Sequence, residues 1–425
     1  MAAWDELRAA GSDATIIEAR GRVGGRIFTA RHSWANPHWE LGTEFVHGKP
    51  KITAQILKRA GLKTVKSGDK RLLTDGKGLA ELRSFWDIIE KVDGQIGKRR
   101  ETTYAKFLAR AKGSAFEKRI AKSYVEGFNA AEADVISTSA VLSEDKASAE
   151  IEGEKQFRIP EGYDSLLGEL IARLPSESLH LETVVAEIRW RRGGVEVAAA
   201  TPTGPRAYTA NAVIATLPLG VLKARAGSRG AVSFVPALPE KEEALRHLHM
   251  GKVVKVILRF KERFWERHGH FAFAMALDAP FQTWWTQEPA VSDFLTGWAG
   301  GPAADRLAGL TRETLLERAL ESLALVFGEA KEKLRGLMED FFFHDWNEDP
   351  FSRGAYSYQG IGGLEAARVL GSPVEDTLFF AGEATDFEGA SGTVHAALES
   401  GRRAAREVIA AFGNGDLNRE AGDIL

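Results

Sequence analysis

The chain contains no cysteine. That removes disulfides, thiolate metal sites, cysteine nucleophiles and cysteine-linked cofactors from consideration. It has no apolar run near the ~18 residues that a membrane-spanning helix needs, and no signal peptide is visible. It also lacks a basic excess: the formal net charge is −3, whereas a surface that tracks phosphates along a nucleic acid wants many unpaired Lys and Arg. The ten histidines never fall at His-x-x-His or His/Asp metal-ligand spacing, so no metal site is expected. No G-x-S-x-G elbow, no phosphate-binding P-loop, no repeat and no low-complexity linker occurs.

What is present suits a large globular protein. At 425 residues, with 44% hydrophobic and 27% charged, the chain is long enough for two domains. Ten Trp and 23 Phe first suggest a large core, and a flat aromatic ligand only once particular residues place it. Residues 2–11, "AAWDELRAAG", read as a helix stopped by Gly11. Residues 14–19, "ATIIEA", read as a short buried strand. Residues 80–150 carry helical spacing with many charges, read as a mostly solvated face. Residues 163–174 form an amphipathic helix. Residues 179–217 are a series of strands with turns at Gly193–Gly194 and at 203–205. "KVVKVILRF" alternates as a strand, and "RETLLERALESLALVFG" is helical. The chain closes on a strand, "LFFAGEAT", and a long helix. Strand and helix blocks alternate in a way that suits two interleaved domains.

Several strings carry chemistry. Glu18 ends a strand just after a helix, where a dinucleotide-binding unit places the acid that accepts from ribose hydroxyls. "GRVGGR" follows, with Gly25 able to let backbone approach a ligand and with Arg20 and Arg26 able to face a pyrophosphate. "FFAGEAT" and then "GTVHAALESG" make a strand, a glycine turn at Gly382 and a helix start, and helix N-termini attract anions. Lys255 lies inside an apolar strand. Burying an ammonium is expensive, and such lysines often do chemistry; Lys252 reads as its solvent-facing neighbour. Trp346, Tyr356 and Tyr358 stand close together as candidate walls for a flat ring, against packing as the plainer reading.

Taken together these strings resemble the flavin-containing amine oxidase family of monoamine oxidases, polyamine oxidases and flavin histone demethylases. Seven strings occur in order: "IIEARGRVGGRIFT", "ELGTEFVHG", "GYDSLLGELIARL", "VIATLPLGVLK", "GKVVKVILRFKERFW", "WNEDPFSRGAYSY" and "LFFAGEATDFEGASGTVHAALESGRRAA". The resemblance implies an α/β fold. A Rossmann-like FAD-binding domain (1–62, 156–240 and 355–425) would be interleaved with an α+β substrate-binding domain (63–155 and 241–354). It implies that Glu18 holds the adenosine ribose and that Arg20, Gly25 and Arg26 belong to the pyrophosphate and flavin loop. Gly42 and Thr43 fall in the next cofactor string, and the backbone of Val185 meets the adenine. Gly382, Glu383, Thr393 and Val394 lie on the ribityl and pyrimidine side, Trp346 beside the isoalloxazine. Lys255 is the lysine that holds a water against flavin N5.

Departures from the family pattern refine this. Covalently flavinylated members have Cys just before the tyrosine matched by Tyr356; Ala355 stands there, which implies noncovalent FAD. Tyr356 matches one wall of the monoamine oxidase tyrosine sandwich, but Thr393 stands at the other. His47, in "EFVHG", matches the polyamine-oxidase form of that loop. The implied substrate is a small-molecule amine, polyamine-like or secondary, oxidised with O2 and without nucleic acid or a membrane span. The implied compartment is cytoplasmic, a lost N-terminal targeting signal being left open. Two other readings stay open: a truncated or degenerate non-catalytic homologue, and a flavin dehydrogenase or desaturase acting on a non-amine. The last departure is at the start. Only fourteen residues precede Thr15, so the first strand and its G-x-G-x-x-G turn are expected to be missing, with poor folding and poor FAD binding as the consequence.

Overall fold

The computed structural model describes residues 1–31, 38–74, 76, 78–97 and 100–416. Its largest sheet has seven strands, in the order 338–343, 253–260, 294–300, 283–285, 273–275, 71–74, 79–81. All neighbours run antiparallel except Phe273–Met275 beside Arg71–Thr74. Alternation along a strand sends successive side chains to opposite faces. Val254, Val256, Leu258 and Phe260 therefore face one way, into a core shared with Leu315, Leu320 and Phe327 of the helix Arg312–Phe327. That helix starts at Thr311, whose hydroxyl accepts from the Thr314 amide at 3.3 Å, and stops at left-handed Gly328. Val253, Lys255 and Ile257 face the other way. The alternation seen in "KVVKVILRF" thus aims Lys255 off the core face.

Helices Phe85–Asp93, Tyr104–Arg110, Ala115–Phe128 and Thr138–Glu150 occupy the charged stretch, and they pack about a second core of Ile88, Val92, Tyr104, Ile120 and Val125. Two carboxylates there are not on the solvated face expected from the sequence. Asp93 is buried and accepts from the Tyr104 hydroxyl at 2.6 Å; burial pushes its carboxyl up to about 7. Glu144 turns toward an interior cavity.

The remaining strands are shorter. A four-stranded sheet orders 204–210, 194–201, 184–191, 233–235. Its tight connections fall at left-handed Gly193 and just before Gly204 (φ 123°), where the sequence placed them. Ile16–Ile17 pairs in parallel with Leu179–His180, and Val213–Ala215 pairs in parallel with Leu378–Phe380. The first of these is shorter than the strand expected over 14–19, and it is half-buried rather than buried, because Ile16 and Ile17 border the cavity. Among the described residues, these two parallel pairs are separate sheets. Helix Ala2–Ala9 packs its Leu7 against Phe379, Ala404 and Val408, so it lies on the long closing helix Val394–Asp416, which is broken at Gly413.

Candidate active site

One cavity of about 660 Å³ runs through the protein, and every cofactor, substrate and catalytic candidate named from the sequence borders it. Glu18 and Val185 stand at one end beside Ile16 and Ile17. Arg20, Gly25, Arg26, Gly382, Glu383, Thr393 and Val394 border its middle. Lys255, Trp346, Gly42, Thr43, Tyr356 and His47 lie further along. Residues up to 376 positions apart in sequence (Glu18 and Val394) thus share one surface.

The strand Ile16–Ile17 delivers Glu18 to the cavity. Its carboxylate accepts the Arg20 amide at 2.8 Å, while burial raises its pKa above the usual carboxylate value. The sequence has Arg20 and Arg26 facing a pyrophosphate; the structure engages both with protein. Arg20 donates to Asp349 at 2.6 Å and Ser352 at 2.9 Å. Arg26 donates to the Ala355 carbonyl and to Glu383, each at 2.8 Å. These are pinning contacts that hold the 349–355 loop against the "GRVGGR" loop. Glu383 also accepts from the Ser357 hydroxyl at 2.5 Å, the Ser357 amide at 3.2 Å and the Gly392 amide at 2.8 Å. Burial alone would raise its carboxyl, but Arg26 and the Ser357 bonds outweigh it and hold the pKa below the ordinary value. Thr393 likewise spends its hydroxyl on the fold: it accepts the Ala396 amide at 3.1 Å, capping the closing helix, and donates to the Ala390 carbonyl at 2.7 Å.

Lys255 is almost fully buried, and its partner is one that sequence reasoning missed. Nζ donates to Glu44 at 2.6 Å and to the Gly42 carbonyl at 3.1 Å, and it lies 5.5 Å from the centre of the Trp285 ring. Glu44 is a hub. Arg158 donates to it as well, and so do the Trp285 indole at 2.9 Å and the Gln287 amide at 3.0 Å. Burial would push this carboxyl up, but Lys255 and then Arg158 reverse the sign and bring it down to about 2. The only hint in sequence was an acid followed directly by Phe45 and Val46 in "ELGTEFVHG". Its two cationic partners are 211 and 114 positions away.

Aromatic walls continue the cavity. Trp346 donates its indole N–H to the Leu41 carbonyl at 2.9 Å, which fixes the ring plane. Tyr358 is buried and stacks on His249. The Tyr356 hydroxyl donates to the Phe128 carbonyl at 2.5 Å, and Phe128 stacks on Tyr124 with ring centres 5.1 Å apart. His47 meets Phe128 edge-on at 5.3 Å. Burial, and then nearby His395, bring it down to about 4. Both imidazoles are therefore neutral near pH 7, since burial also lowers His395 to about 4.

The arrangement fits a long ligand with a flat ring. Gly25 (φ 56°) borders the cavity with open space where a Cβ would stand, and a Cβ at Gly382 (φ 123°) would meet the Leu217 carbonyl at 4.0 Å, so backbone is presented directly to whatever lies there. Residues 1–409 match the family described as flavin containing amine oxidoreductase. The chain belongs to that family. FAD is its cofactor. The chain is 30% identical to polyamine oxidase 3 of Oryza sativa subsp. japonica, over 96% of this chain and 86% of that one. It is 25% identical to the flavin-containing amine oxidase B of Sus scrofa, over 97% and 84%. Lysine-specific histone demethylase 2 of Homo sapiens is 25% identical over 96% of this chain but only 52% of its own length. Among solved structures, a putrescine oxidase double mutant superposes with a TM-score of 0.80 at 21% identity, covering 96% of both chains, which supports the shared fold. No helix among the described residues is long and apolar enough to cross a membrane.

Proposed function

We propose that this family member oxidises the carbon–nitrogen bond of a polyamine-like or secondary amine. Bound FAD would take a hydride at N5 and pass its electrons to O2 as H2O2, and the imine product would hydrolyse to an aldehyde or ketone. The observation that carries the reading is the buried ion pair at the cavity wall. Lys255 is a fixed cation held by Glu44, not a free base, so its part is electrostatic: it orients a hydrogen-bonding partner at the ring edge and stabilises negative charge that develops there. Trp346 and Tyr356 confine a flat ring and the amine beside it, and they exclude water. Neutral His47 adds no positive charge to a site that must accept an amine. Glu18 takes the ribose, and Gly25 and Gly382 give backbone access to the pyrophosphate and ribityl stretch.

Lys255→Met tests this reading. Methionine keeps most of the volume and removes the charge. Flavin reduction or reoxidation in rapid-mixing experiments is expected to slow by at least about tenfold, which corresponds to ~1.4 kcal/mol of transition-state stabilisation. Normal rates in a flavin-loaded variant would show that the lysine has no such role. We further propose that the separated parallel pairs at 16–17 and 378–380 flank the place of one more strand, which would join them into a single sheet and carry the phosphate-binding turn.

A further inference from the structure

We infer that Glu144 is the specificity residue that receives the distal ammonium of a diamine or polyamine, resting on the amine oxidase reading above. Glu144 lies on the helix Thr138–Glu150, one turn after Ala140, and this spacing puts both on the face that borders the cavity. One carboxylate oxygen accepts from the Asn129 side chain. No Lys, Arg or His among the described residues comes within ion-pair distance of it, so one oxygen is left to the cavity. The charged and titratable groups around it are Asp145 on its own helix, Asp93 on the helix 85–93, Tyr124 on the helix 115–128, and Tyr356 on the strand opposite. None of these is a cation. Burial, and then Asp145, push its carboxyl up to about 8. Near neutral pH the site therefore holds a proton that an arriving ammonium would displace to solvent.

The location suits a two-headed substrate. Tyr356 lies between two carboxylates: the amide of its neighbour Ser357 donates to Glu383, and its own hydroxyl donates to the Phe128 carbonyl, next to the Asn129 that donates to Glu144. An amine beside Tyr356 therefore has its reacting nitrogen toward Lys255 and Trp346 and its tail toward Glu144, along the Tyr124–Phe128 stack. Arg71 also borders the cavity and, like Glu144, acts on Tyr124. Its guanidinium sits 4.9 Å from the ring centres of Phe85 and Trp86 and 5.1 Å from Phe273, bonded only to a backbone carbonyl. It repels a cation that approaches too closely, so a distal ammonium near Tyr124 turns to Glu144, the acidic group that acts on Tyr124 and borders the cavity among the described residues.

Glu144→Gln keeps the shape and an acceptor for Asn129 while removing the charge. The experiment compares 1,4-diaminobutane with butylamine, the monoamine of equal chain length, in flavin-loaded wild type and variant. The diamine-to-monoamine ratio of kcat/KM is expected to fall roughly 10- to 100-fold, the worth of one charge-assisted hydrogen bond. Anaerobic calorimetry on the dithionite-reduced enzyme reads binding without turnover. There the wild type is expected to release more protons than the variant on binding the diamine at pH 7. An unchanged ratio, a parallel loss for both amines, or equal proton release would overturn the assignment. Preference for 4-aminobutanoate over 1,4-diaminobutane would overturn it too, by making Arg71 the group that reads the substrate. Failure of every amine to reduce the flavin would instead sink the oxidase reading, while the calorimetric comparison still reports on Glu144.

Discussion

The two ends of the cavity are built to different standards. At the Lys255 end, a seven-stranded sheet pairs Val253–Arg259 on one side and Val256–Phe260 on the other and backs the strand with a helix, and Val256, Leu258 and Phe260 are fully buried. At the Glu18 end, two-residue Ile16–Ile17 has one strand partner and half-buried side chains. The lesson is that the buried cation Lys255 rests on the best-supported part of the fold, while Glu18, proposed above to take the ribose, hangs from one of its least supported strands. Side chains that share a dense interior lose little freedom, whereas short unpaired strands contribute few apolar contacts against the entropy of ordering them.

The largest change should come from filling the weaker end. Appending an apolar strand followed by a G-x-G-x-x-G turn ahead of Met1 would bury about five apolar side chains at roughly 1.5–3 kcal/mol each. A gain on the order of 10 kcal/mol is expected, visible as a large rise in melting temperature and in flavin content after gel filtration. No gain in either would remove the proposed strand site and make the two ends equally complete. Next in size is Glu44→Ala at the stronger end. It leaves Lys255 and Arg158 buried without their shared anion, at a cost of about 3–5 kcal/mol. Denaturant melts that shift by less than about 1 kcal/mol would show that the ion cluster is not what fixes this end.

A pH profile separates the two kinds of group that the cavity holds. His47 and His395 are lowered to about 4, so the unfolded chain binds more protons below its own histidine value near 6.5. Stability from these groups is full above that value and falls as pH drops toward 4. Glu44, lowered to about 2, adds its loss only below the unfolded carboxylate range and down to about pH 2. Asp93 and Glu144, raised to about 7 and about 8, gain stability as pH falls over the histidine window and oppose the histidine loss. The test is therefore a difference: His47→Gln should lose less melting temperature than wild type between pH 6.5 and 4. Identical limbs in the two proteins would remove His47 from the account. The smallest effect belongs to Tyr356→Phe, which removes the bond to the Phe128 carbonyl, worth about 0.5–1.5 kcal/mol. A shift in thermal melting beyond that range would mean the hydroxyl does more than tie these segments together.

Local strings made much of this legible. "KVVKVILRF" announced both the strand and the inward Lys255 through simple alternation, and Gly11, Gly193 and Gly328 marked the ends of elements because their left-handed backbone suits glycine. What sequence did not show were relations made only by folding. Glu44 acquires Lys255 and Arg158 across more than a hundred residues, and Arg20 and Arg26 acquire Asp349 and Glu383. Glu144 sat in a run, "LSEDKASAEIEGE", whose composition is that of a solvated helix. Nothing in such a run distinguishes the one carboxylate that a neighbouring helix will cover.

The strand Val253–Phe260 also sets a clock. From Val256 to Phe260 it is paired with neighbours on both flanks, and its apolar side chains are sealed under a helix, so that stretch of backbone should open to deuterated solvent only when the whole sheet does. Ile16–Ile17, paired once, should exchange through small local openings long before that. Lys255 would then stay in place through many cycles of breathing at the Glu18 end, and the slowest-exchanging amides of the protein should lie beside its most deeply buried ion pair.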